Sequence, residues 1–370
     1  MKLLFTTEEK IEKKRAALSE RDMFELRTYA EEMMKVEPLS VTFHKSPAVS
    51  GNIHDYFSEG TYWWPDPKNP DGPFIRRDGE IYPGSFKHHL HDLEKMSDTV
   101  TVLAEAGTYL SERIYLERAA KLIRVWFTDE ATMMNPHLEY AQAIRGICDG
   151  RGIGIIDTQR LVKVVHSANL LEYAGGFDET VEPLKEWFTK YTNWLATSEN
   201  GIYERDYFNN HSNWYNTQIA SFVAFTGGDP TPYFDRFMKV IITNQTGEDG
   251  SFTDELTRTK SYSYSSFNLI ACAVLARLAE GYGVDLWGAV AENGRSIKKS
   301  VEFFKPYYQN PFLWKYPQIH VDSDTFCLNA AMVLAEEAYG DESIARINRQ
   351  KKRVFIPMRN ITHIGLIDFL

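Results

Sequence analysis

The feature that most constrains this chain is a long series of predicted helical segments that begins at residue 86 and occupies most of the remaining sequence. Apolar residues recur within each segment at spacings of three and four, which is the period of an amphipathic α-helix. Gly or Pro marks many of the turns between segments, as at Gly175 and Gly176. The pattern predicts helices over residues 86–107, 111–127, 138–148, 157–174, 180–197, 214–225, 231–244, 264–281, 288–304 and 324–339.

About ten to twelve helices joined by short turns favour an all-α domain built from antiparallel helix pairs. No sequence repeat of the solenoid kinds is present. With loops this rich in polar and aromatic residues, the natural architecture is an incomplete (α/α) toroid, also called an α/α barrel. The pattern alone does not distinguish a toroid from another helical array. Residues 1–370 are predicted to form one domain, and the charged segment 8–35 is predicted to form one or two helices before Pro38.

A long segment without helical periodicity, residues 38–83, precedes the helical series. A stretch of this length without regular structure is uncommon in a compact domain and is usually functional. Its aromatic residues have two open interpretations: they are exposed and stack on sugar rings, or they pack the loop against the domain. The residues concerned are Tyr62, Trp63 and Trp64.

The charge of the chain limits its partners. A net charge of −10 argues against a general affinity for nucleic acid or for an anionic membrane surface. A polyanionic substrate would therefore need a local basic cleft, although any single arginine can also be a solvated surface residue. The candidates for the cleft are Arg76, Arg77, Arg145, Arg151, Arg205 and Arg258.

The N-terminus carries only the apolar run Leu3–Phe5 before charged residues begin. This run is too short for a signal peptide, and no stretch approaches the length of a membrane span. The chain as it stands is predicted to be cytoplasmic, with a periplasmic or secreted protein whose leader has been removed as the alternative. The oligomeric state is unknown from the sequence.

Two polar segments concentrate the residue types that proton transfer needs. The first is the run from Asn209 to Tyr215, which contains two adjacent amides, the imidazole of His211 and two aromatic rings. The second runs from Arg258 to Tyr264 and supplies a fixed cation and a phenol. Together these groups suit the removal of a proton beside a carboxylate.

The first segment resembles the alginate lyase family, which includes polysaccharide lyase family 5 and its relative, family 38. The family 5 pattern Asn-Asn-His-Ser-aromatic-Trp stands here as Asn209 to Trp214, with Asn213 in place of the aromatic residue. The second segment resembles the family's acidic residue, Arg and Tyr, which stand here as Glu255, Arg258 and Tyr264. Further resemblance lies in residues 62–67, 76–79 and 135–142, so that the match extends from about residue 50 to about residue 280.

This resemblance implies an (α/α) toroid and a polysaccharide lyase that cleaves a 1,4-linked uronic-acid polymer, alginate (polymannuronate) or glucuronan, by β-elimination. It also implies four catalytic residues. Asn210 is the main donor that neutralises the substrate carboxylate, with His211 or Arg258 as helper. Tyr264 is the acid and also the base when both reacting atoms lie on one face of the sugar, whereas His211 is the base when they lie on opposite faces. Arg258 is expected to lower the pKa of the Tyr264 phenol.

A wider group of residues is predicted to bind the substrate. Two local alternatives remain: Asn209 or Asn210 caps the following helix, and Tyr262 takes the role of Tyr264. The predicted substrate-binding residues are Tyr62, Trp63, Trp64, Arg76, His137, Tyr140, Gln142, Asn209, Trp214, Glu255 and Tyr262.

No metal ion or other cofactor is expected to take part in the chemistry. The run His88, His89 and His91 has the composition of a metal site, but its spacing does not place two histidines on one helix face around a Glu. His320, Asp322 and Asp324 have a cation-binding interpretation, for which a solvated turn is the alternative. The glycines at 150, 152 and 154 are predicted to form a substrate-facing loop that needs close backbone approach, and not a nucleotide-binding loop.

Two rival functions remain at this stage. A glycoside hydrolase on a similar toroid needs two carboxylates facing each other across the cleft, for which Asp249, Asp254 and Glu255 are candidates. A non-catalytic polysaccharide-binding protein would keep the aromatic groove without turnover. The lyase is favoured because it alone explains the Asn-His and Arg-Tyr pairs together.

Overall fold

The computed structural model describes residues 2–319 and 326–352. The C-terminal run of residues 354–357 has residue types that favour a β-strand in the sequence. This run and the possible cation ligands His320, Asp322 and Asp324 lie outside the described residues.

The described residues contain fourteen α-helices, more than the ten to twelve predicted, because several are short. They are α1 (Glu8–Ala17), α2 (Glu20–Met34), α3 (His88–Tyr109), α4 (Arg113–Phe127), α5 (Leu161–Ala174), α6 (Asp178–Thr197), α7 (Glu199–Arg205), α8 (Asn210–Phe225), α9 (Thr231–Arg236), α10 (Ile242–Gln245), α11 (Ser261–Glu280), α12 (Ile297–Gln309), α13 (Phe326–Tyr339) and α14 (Glu342–Lys352). Four short strands accompany them: β1 (Phe57–Glu59), β2 (Trp63–Trp64), β3 (Ile75–Arg76) and β4 (Tyr140–Ala143).

The long helices form an inner and an outer layer. Helices α3, α5, α8, α11 and α13 form the inner layer, in which each helix packs against the next in that order. Outer helices pack against them, as α4 does against α3 and α6 does against α5 and α8. This is the incomplete (α/α) toroid that the sequence predicts.

Burial differs between the two layers as their sequences require. Helix α5 is buried at every position from Leu161 to Leu171, and α11 is buried over most of its length. Helix α4 instead buries one stripe, which includes Ala119, Ile123 and Trp126, and exposes Ile114 and its charged neighbours. Helix α5 lies in the interior because it is mostly apolar and its buried Lys163 and His166 are paired with acidic side chains, whereas a helix with one apolar stripe covers the inner layer from outside.

Several predicted helix boundaries are wrong. Residues 138–148 are not helical: they form β4, which pairs in parallel with β1, followed by a turn. The last long outer helix begins at Ile297 and not at 288. The predicted helix 231–244 is divided into α9 and α10 by a π-helical turn, Phe237–Ile241. Apolar residues in these three segments occur at spacings that strands and turns also permit, so tertiary contacts decide the outcome.

The segment 38–83 has more structure than predicted. It contains a short 3₁₀ helix, Val41–Phe43, strand β1, and an antiparallel pair in which Trp63 of β2 lies opposite Arg76 of β3. These strands place the aromatic residues at one end of the helical toroid. Within the part of the chain that is described, no helix is long and apolar enough to cross a membrane.

Candidate active site

A cavity of about 790 Å³ lies at the end of the toroid where the segment 38–83 meets the start of α8 and of α11. The structure brings nine of the predicted site residues to its wall. These are Tyr62, Trp63, Arg76, Gln142, Asn209, Asn210, His211, Arg258 and Tyr264. All four predicted catalytic residues are therefore in one cavity, although they come from segments about fifty positions apart in the sequence.

The N-terminus of α8 positions the two amides differently. The side-chain oxygen of Asn209 accepts a hydrogen bond from the backbone N–H of His211 at 3.1 Å, so Asn209 is the helix cap. Asn210 is the first helical residue, and both its backbone N–H and its side-chain amide donate to Glu255 Oε1, at 2.8 and 2.6 Å. The positive end of the α8 dipole thus faces the cavity, which favours the binding of an anion there.

Glu255 accepts hydrogen bonds from Asn210 but does not itself line the cavity. Its side chain is fully buried, and burial raises its pKa while the hydrogen bonds from Asn210 and the charge of Arg258 oppose that change. Glu255 was predicted to bind substrate directly, and the structure corrects this. Its carboxylate fixes one N–H of the Asn210 amide and leaves the second N–H of that group for a ligand.

His211 is held by a second buried carboxylate. Its Nδ1 lies 2.8 Å from Glu204 Oε1, and the Glu204 side chain has no exposed surface. A carboxylate only accepts hydrogen bonds, so Nδ1 carries the proton of this contact and Nε2 is the ring nitrogen left to accept one. The ring of Tyr207 packs edge-on against His211, with 5.4 Å between the ring centroids. Burial raises the pKa of Glu204, and the contact with His211 opposes the rise.

Arg258 and Tyr264 contact each other on the wall of the cavity. The Arg258 guanidinium lies over the Tyr264 ring, 3.8 Å from its centroid, and donates to both carboxylate oxygens of Asp78, at 2.8 and 3.2 Å. Burial favours the neutral form of Asp78, but the hydrogen bonds and charge of Arg258 outweigh it and hold the pKa of that carboxyl well below its usual range. The Tyr264 hydroxyl donates to the Tyr62 hydroxyl at 2.6 Å.

The pKa of Tyr264 departs from the prediction. Arg258 does favour the phenolate, as expected, but burial acts more strongly in the opposite direction and the neighbouring Tyr62 adds to it. The pKa of the Tyr264 phenol is consequently raised far above its ordinary value. The guanidinium lies over the ring and does not hydrogen-bond to the hydroxyl, which limits how much negative charge on the oxygen it can stabilise.

Five predicted substrate-binding residues other than Glu255 do not line the cavity. Trp214 is buried and donates from Nε1 to the Phe267 carbonyl at 3.0 Å, and Tyr262 is buried against Trp314. His137 lies 3.1 Å from Asp55 and packs edge-on against Tyr140. These side chains, and Trp64, are absorbed by packing because aromatic rings are as useful in a core as on a binding surface.

Each of the two tryptophans of β2 fits one of the two interpretations left open by the sequence, exposure to a binding site or packing of the loop. Trp63 lines the cavity. Trp64 packs against Tyr82, with 5.2 Å between ring centroids, and donates from Nε1 to the Glu80 carbonyl at 2.9 Å. Strand residues alternate between two faces, so one tryptophan faces the cavity and the next holds the loop in place.

The basic cleft is made by a different set of arginines from the one predicted. Arg76, Arg151 and Arg258 line the cavity, and Arg160, which was not predicted, joins them. Arg145 instead pairs with Glu59, Arg205 pairs with Asp206, and Arg77 lies over the Trp64 ring. Sequence reasoning also missed the supporting carboxylates, the buried Glu204 and the half-buried Asp78, because an acid that holds another residue in place carries no local sequence signal.

The histidine run at the start of α3 has a structural role. His89 is fully buried, its Nδ1 accepts from the backbone N–H of Phe57 at 3.0 Å, and its Nε2 donates to the His44 carbonyl at 3.1 Å. Among the described residues, no group of three or more His, Cys, Asp or Glu side chains has the arrangement of a metal site.

Comparisons with known proteins show which family the chain resembles. The family model described as alginate lyase matches residues 40–314. The crystal structure of an alginate lyase from Bacteroides ovatus is similar to this chain, with 31% sequence identity, a TM-score of 0.88 and 94% of each chain covered. Alginate lyase A1-III from Sphingomonas species A1 is similar at 18% identity, with a TM-score of 0.49 and 87% of this chain and 88% of that chain covered. No curated protein sequence matches the chain.

Proposed function

The chain belongs to the alginate lyase family and is a polysaccharide lyase, and from that premise we propose that it cleaves a 1,4-linked uronic-acid polymer of the alginate (polymannuronate) or glucuronan type by β-elimination. The observation that carries the proposal is the meeting of Asn210, His211, Arg258 and Tyr264 in one cavity. The relative of known structure with 31% identity is an alginate lyase, which supports a uronate polymer as the substrate.

The first requirement of the reaction is to neutralise a carboxylate. The hydrogen on C5 is a weak acid because the neighbouring carboxylate is already negative, so preorganised donors must stabilise the charge that develops there. Asn210 offers the second N–H of its amide, and Arg258 offers its guanidinium beside the N-terminus of α8. Glu255 and Asp78 hold these two donors in place before the substrate arrives.

The second requirement is a matched movement of two protons. A base takes the proton from C5, the C4–O4 bond breaks, a double bond forms between C4 and C5, and an acid protonates O4. Tyr264 is the acid, because burial keeps its phenol protonated. His211 accepts the C5 proton through Nε2 where the C5 hydrogen and O4 lie on opposite faces, as in polyguluronate. Where they lie on one face, as in polymannuronate and glucuronan, Tyr264 must serve both steps as the phenolate: its own proton first passes to solvent, and it then takes the C5 proton and gives it to O4. Arg258 favours this ionised form and burial opposes it.

The test is the ultraviolet absorbance of the unsaturated uronate product. Purified protein is offered polymannuronate, polyguluronate, glucuronan and hyaluronan separately, with His211→Ala and Tyr264→Phe beside the wild type. We expect absorbance to rise on one or more of the first three polymers and to be lost in Tyr264→Phe. The His211→Ala variant then separates the two proton routes, since its loss should be larger on polyguluronate than on polymannuronate.

Two other results would contradict the proposal. New reducing ends without absorbance would indicate hydrolysis, with Asp254 as the cavity-lining carboxylate to change next. Binding of the polymers without any new chain ends would indicate a non-catalytic binding protein. The burial of Glu255 behind Asn210 argues against the hydrolase, because that mechanism needs a pair of carboxylates that reach the sugar.

A further inference from the structure

Arg151 differs from the other arginines of the cavity in the charge of its contacts. Arg258 and Arg76 each donate to Asp78, and Arg160 donates to Glu94. Arg151 donates instead to Gln142, from Nε to the backbone carbonyl at 3.0 Å and from Nη2 to the side-chain Oε1 at 2.9 Å. Within the described part of the chain, no carboxylate lies within ion-pair distance of Arg151, so its positive charge is not cancelled by a direct contact.

The support of Arg151 fixes its position. The amide of Gln142 donates from Nε2 to Asp157 Oδ1 at 2.9 Å, which leaves its Oε1 to face Arg151. Asp157 is buried and also accepts from Ser58 and Tyr56, at 2.6 and 3.1 Å. Gln142 has a backbone φ of +51°, a left-handed conformation that costs a non-glycine residue free energy and persists only where the surroundings impose it.

Close backbone packing holds the same loop from both sides. A Cβ atom at Gly150 would lie 1.8 Å from the Glu139 carbonyl oxygen, and one at Gly152 would lie 2.7 Å from the Asn200 carbonyl oxygen. Only glycine fits at these two positions. The arginine between them is therefore carried on a tightly packed turn.

A half-buried cation whose direct partners are neutral is unfavourable unless an anion joins it. Burial lowers the pKa of Arg151, and the more distant charge of Asp157 only partly opposes this. Two of its five N–H donors are used by Gln142, and guanidinium groups bind carboxylates through two parallel hydrogen bonds. The site is therefore built to receive a carboxylate from outside the protein.

The position of Arg151 relative to the catalytic residues indicates which carboxylate. The guanidinium lies 5.7 Å from the centre of the Trp63 ring, and Trp63 follows Tyr62, whose hydroxyl contacts Tyr264. Arg151 thus lies in the same cavity as the acid, beside the residue that follows the acid's hydrogen-bond partner, and is anchored by Gln142 and Asp157. The donors for the reacting carboxylate are anchored separately, by Glu255 and Asp78.

We propose that Arg151 binds the carboxylate of the uronate next to the one that undergoes elimination, so that the enzyme requires charge on two successive sugars. The proposal rests on the proposed function. Trp63 supplies the ring face against which that neighbouring sugar packs. The consequence is selectivity for uninterrupted uronate blocks over polymers in which uronates alternate with neutral sugars.

Binding is the first measurement, made in a Tyr264→Phe background so that no product forms. A uronate oligosaccharide is titrated calorimetrically into this protein with Arg151, with Arg151→Gln and with Arg151→Lys. We expect the Gln variant to bind at least tenfold more weakly and the Lys variant to recover part of the loss. Arg205→Gln is the matched control, because Arg205 pairs with Asp206 outside the cavity, and it should bind as the background does.

The second measurement changes the substrate. Carboxyl-reduced oligosaccharides, in which the neighbouring uronate carries a hydroxymethyl group, are compared with the fully charged ones. The protein with Arg151 should lose at least tenfold in affinity on reduction, whereas the Arg151→Gln variant should lose little. If an Arg151 variant fails to fold, the protein that retains Arg151 still shows whether binding depends on the carboxylate of the neighbouring sugar.

Two results would overturn the inference. They are unchanged affinity in Arg151→Gln, or an equal sensitivity to carboxyl reduction with and without the arginine. Failure of the proposed function is distinguishable, because the wild type would then produce no unsaturated product from any polymer. Wild-type turnover with no dependence on the neighbouring carboxylate would remove this inference alone.

Discussion

The Nδ1 atom of His211 lies 2.8 Å from a carboxylate oxygen of Glu204, whose side chain has no exposed surface. Glu204 is placed in α7 and His211 in the first turn of α8, so the connection between two helices brings them together. The contact orients the imidazole and assigns its proton to Nδ1. It also stabilises the positive charge that the ring acquires whenever Nε2 accepts a proton, which is the arrangement of a base held by a buried acid.

Glu204→Gln should lower kcat about 100-fold or more on a substrate that uses His211 as base. The amide can donate to Nδ1, which would place the ring proton on Nε2 and remove the acceptor. The KM should change little because Glu204 does not line the cavity. Initial rates of absorbance increase measure this, with Asp206→Asn, two positions further along the chain, as a control. An equal loss in both variants, or a lowered Tm in Glu204→Gln alone, would contradict the assignment.

Tyr264→Phe should reduce kcat by about 100-fold to 10,000-fold, the usual contribution of a positioned proton donor, while oligosaccharide binding is retained. Tyr62→Phe provides the comparison, because it removes only the acceptor of the 2.6 Å hydrogen bond and leaves the donor in place. We expect its loss of kcat to be less than about tenfold. Similar losses in the two variants would show that the hydroxyl pair acts as a unit and that Tyr264 alone is not the acid.

Asp78→Asn should lower both stability and activity, because it removes the charge that holds Arg258. The low pKa of Asp78 means that the pair stabilises the protein above the unfolded-state pKa of about 3.9 and loses that effect as the pH falls further. Denaturant unfolding at neutral pH should show a loss of about 1–3 kcal/mol. The difference between wild type and variant should shrink below about pH 4. A constant difference across this range would argue against the ion pair as its cause.

His89 should make the protein less stable as the pH falls below about 6.5. Burial lowers the pKa of His89 to about 4, so between these values the unfolded chain binds a proton that the folded protein does not. The free energy of unfolding should therefore decrease by up to about 3 kcal/mol as the pH falls from 6.5 to 4. The His89→Gln variant should lose this part of the pH dependence, as measured by urea unfolding at several pH values. Parallel curves for the two proteins would contradict it.

The residues that line the site were partly predictable, but the carboxylates Glu204 and Asp78 that hold His211 and Arg258 were not. Asn210, His211, Arg258 and Tyr264 are found together because the local motifs that carry them stand at the starts of helices, and inner helices of a toroid begin near one end. Trp214 and Tyr262 lie in the same motifs, yet both are buried, because helical periodicity turns some residues of each motif toward the core. Proximity in sequence therefore overstates the number of residues that reach the substrate.

The balance of opposing effects was also beyond the sequence. The prediction that Arg258 lowers the pKa of Tyr264 named a real interaction but omitted burial, which acts more strongly and raises it. How far burial shifts a titratable group depends on every element that packs around it. The same reason explains why the parallel pairing of β4 with β1 was missed: a strand of four residues is decided by its partner.

What the sequence by itself determined is the all-α architecture and, through the resemblance to a known family, the candidates for the reacting groups. Helical periodicity and residue chemistry are local properties, so they can be read directly from the sequence. Only the tertiary structure decided which carboxylate holds which donor: Glu204 for His211, Glu255 for Asn210, and Asp78 for Arg258. These pairings form between separate elements, where burial removes water and makes each polar group depend on the partner that packing places beside it.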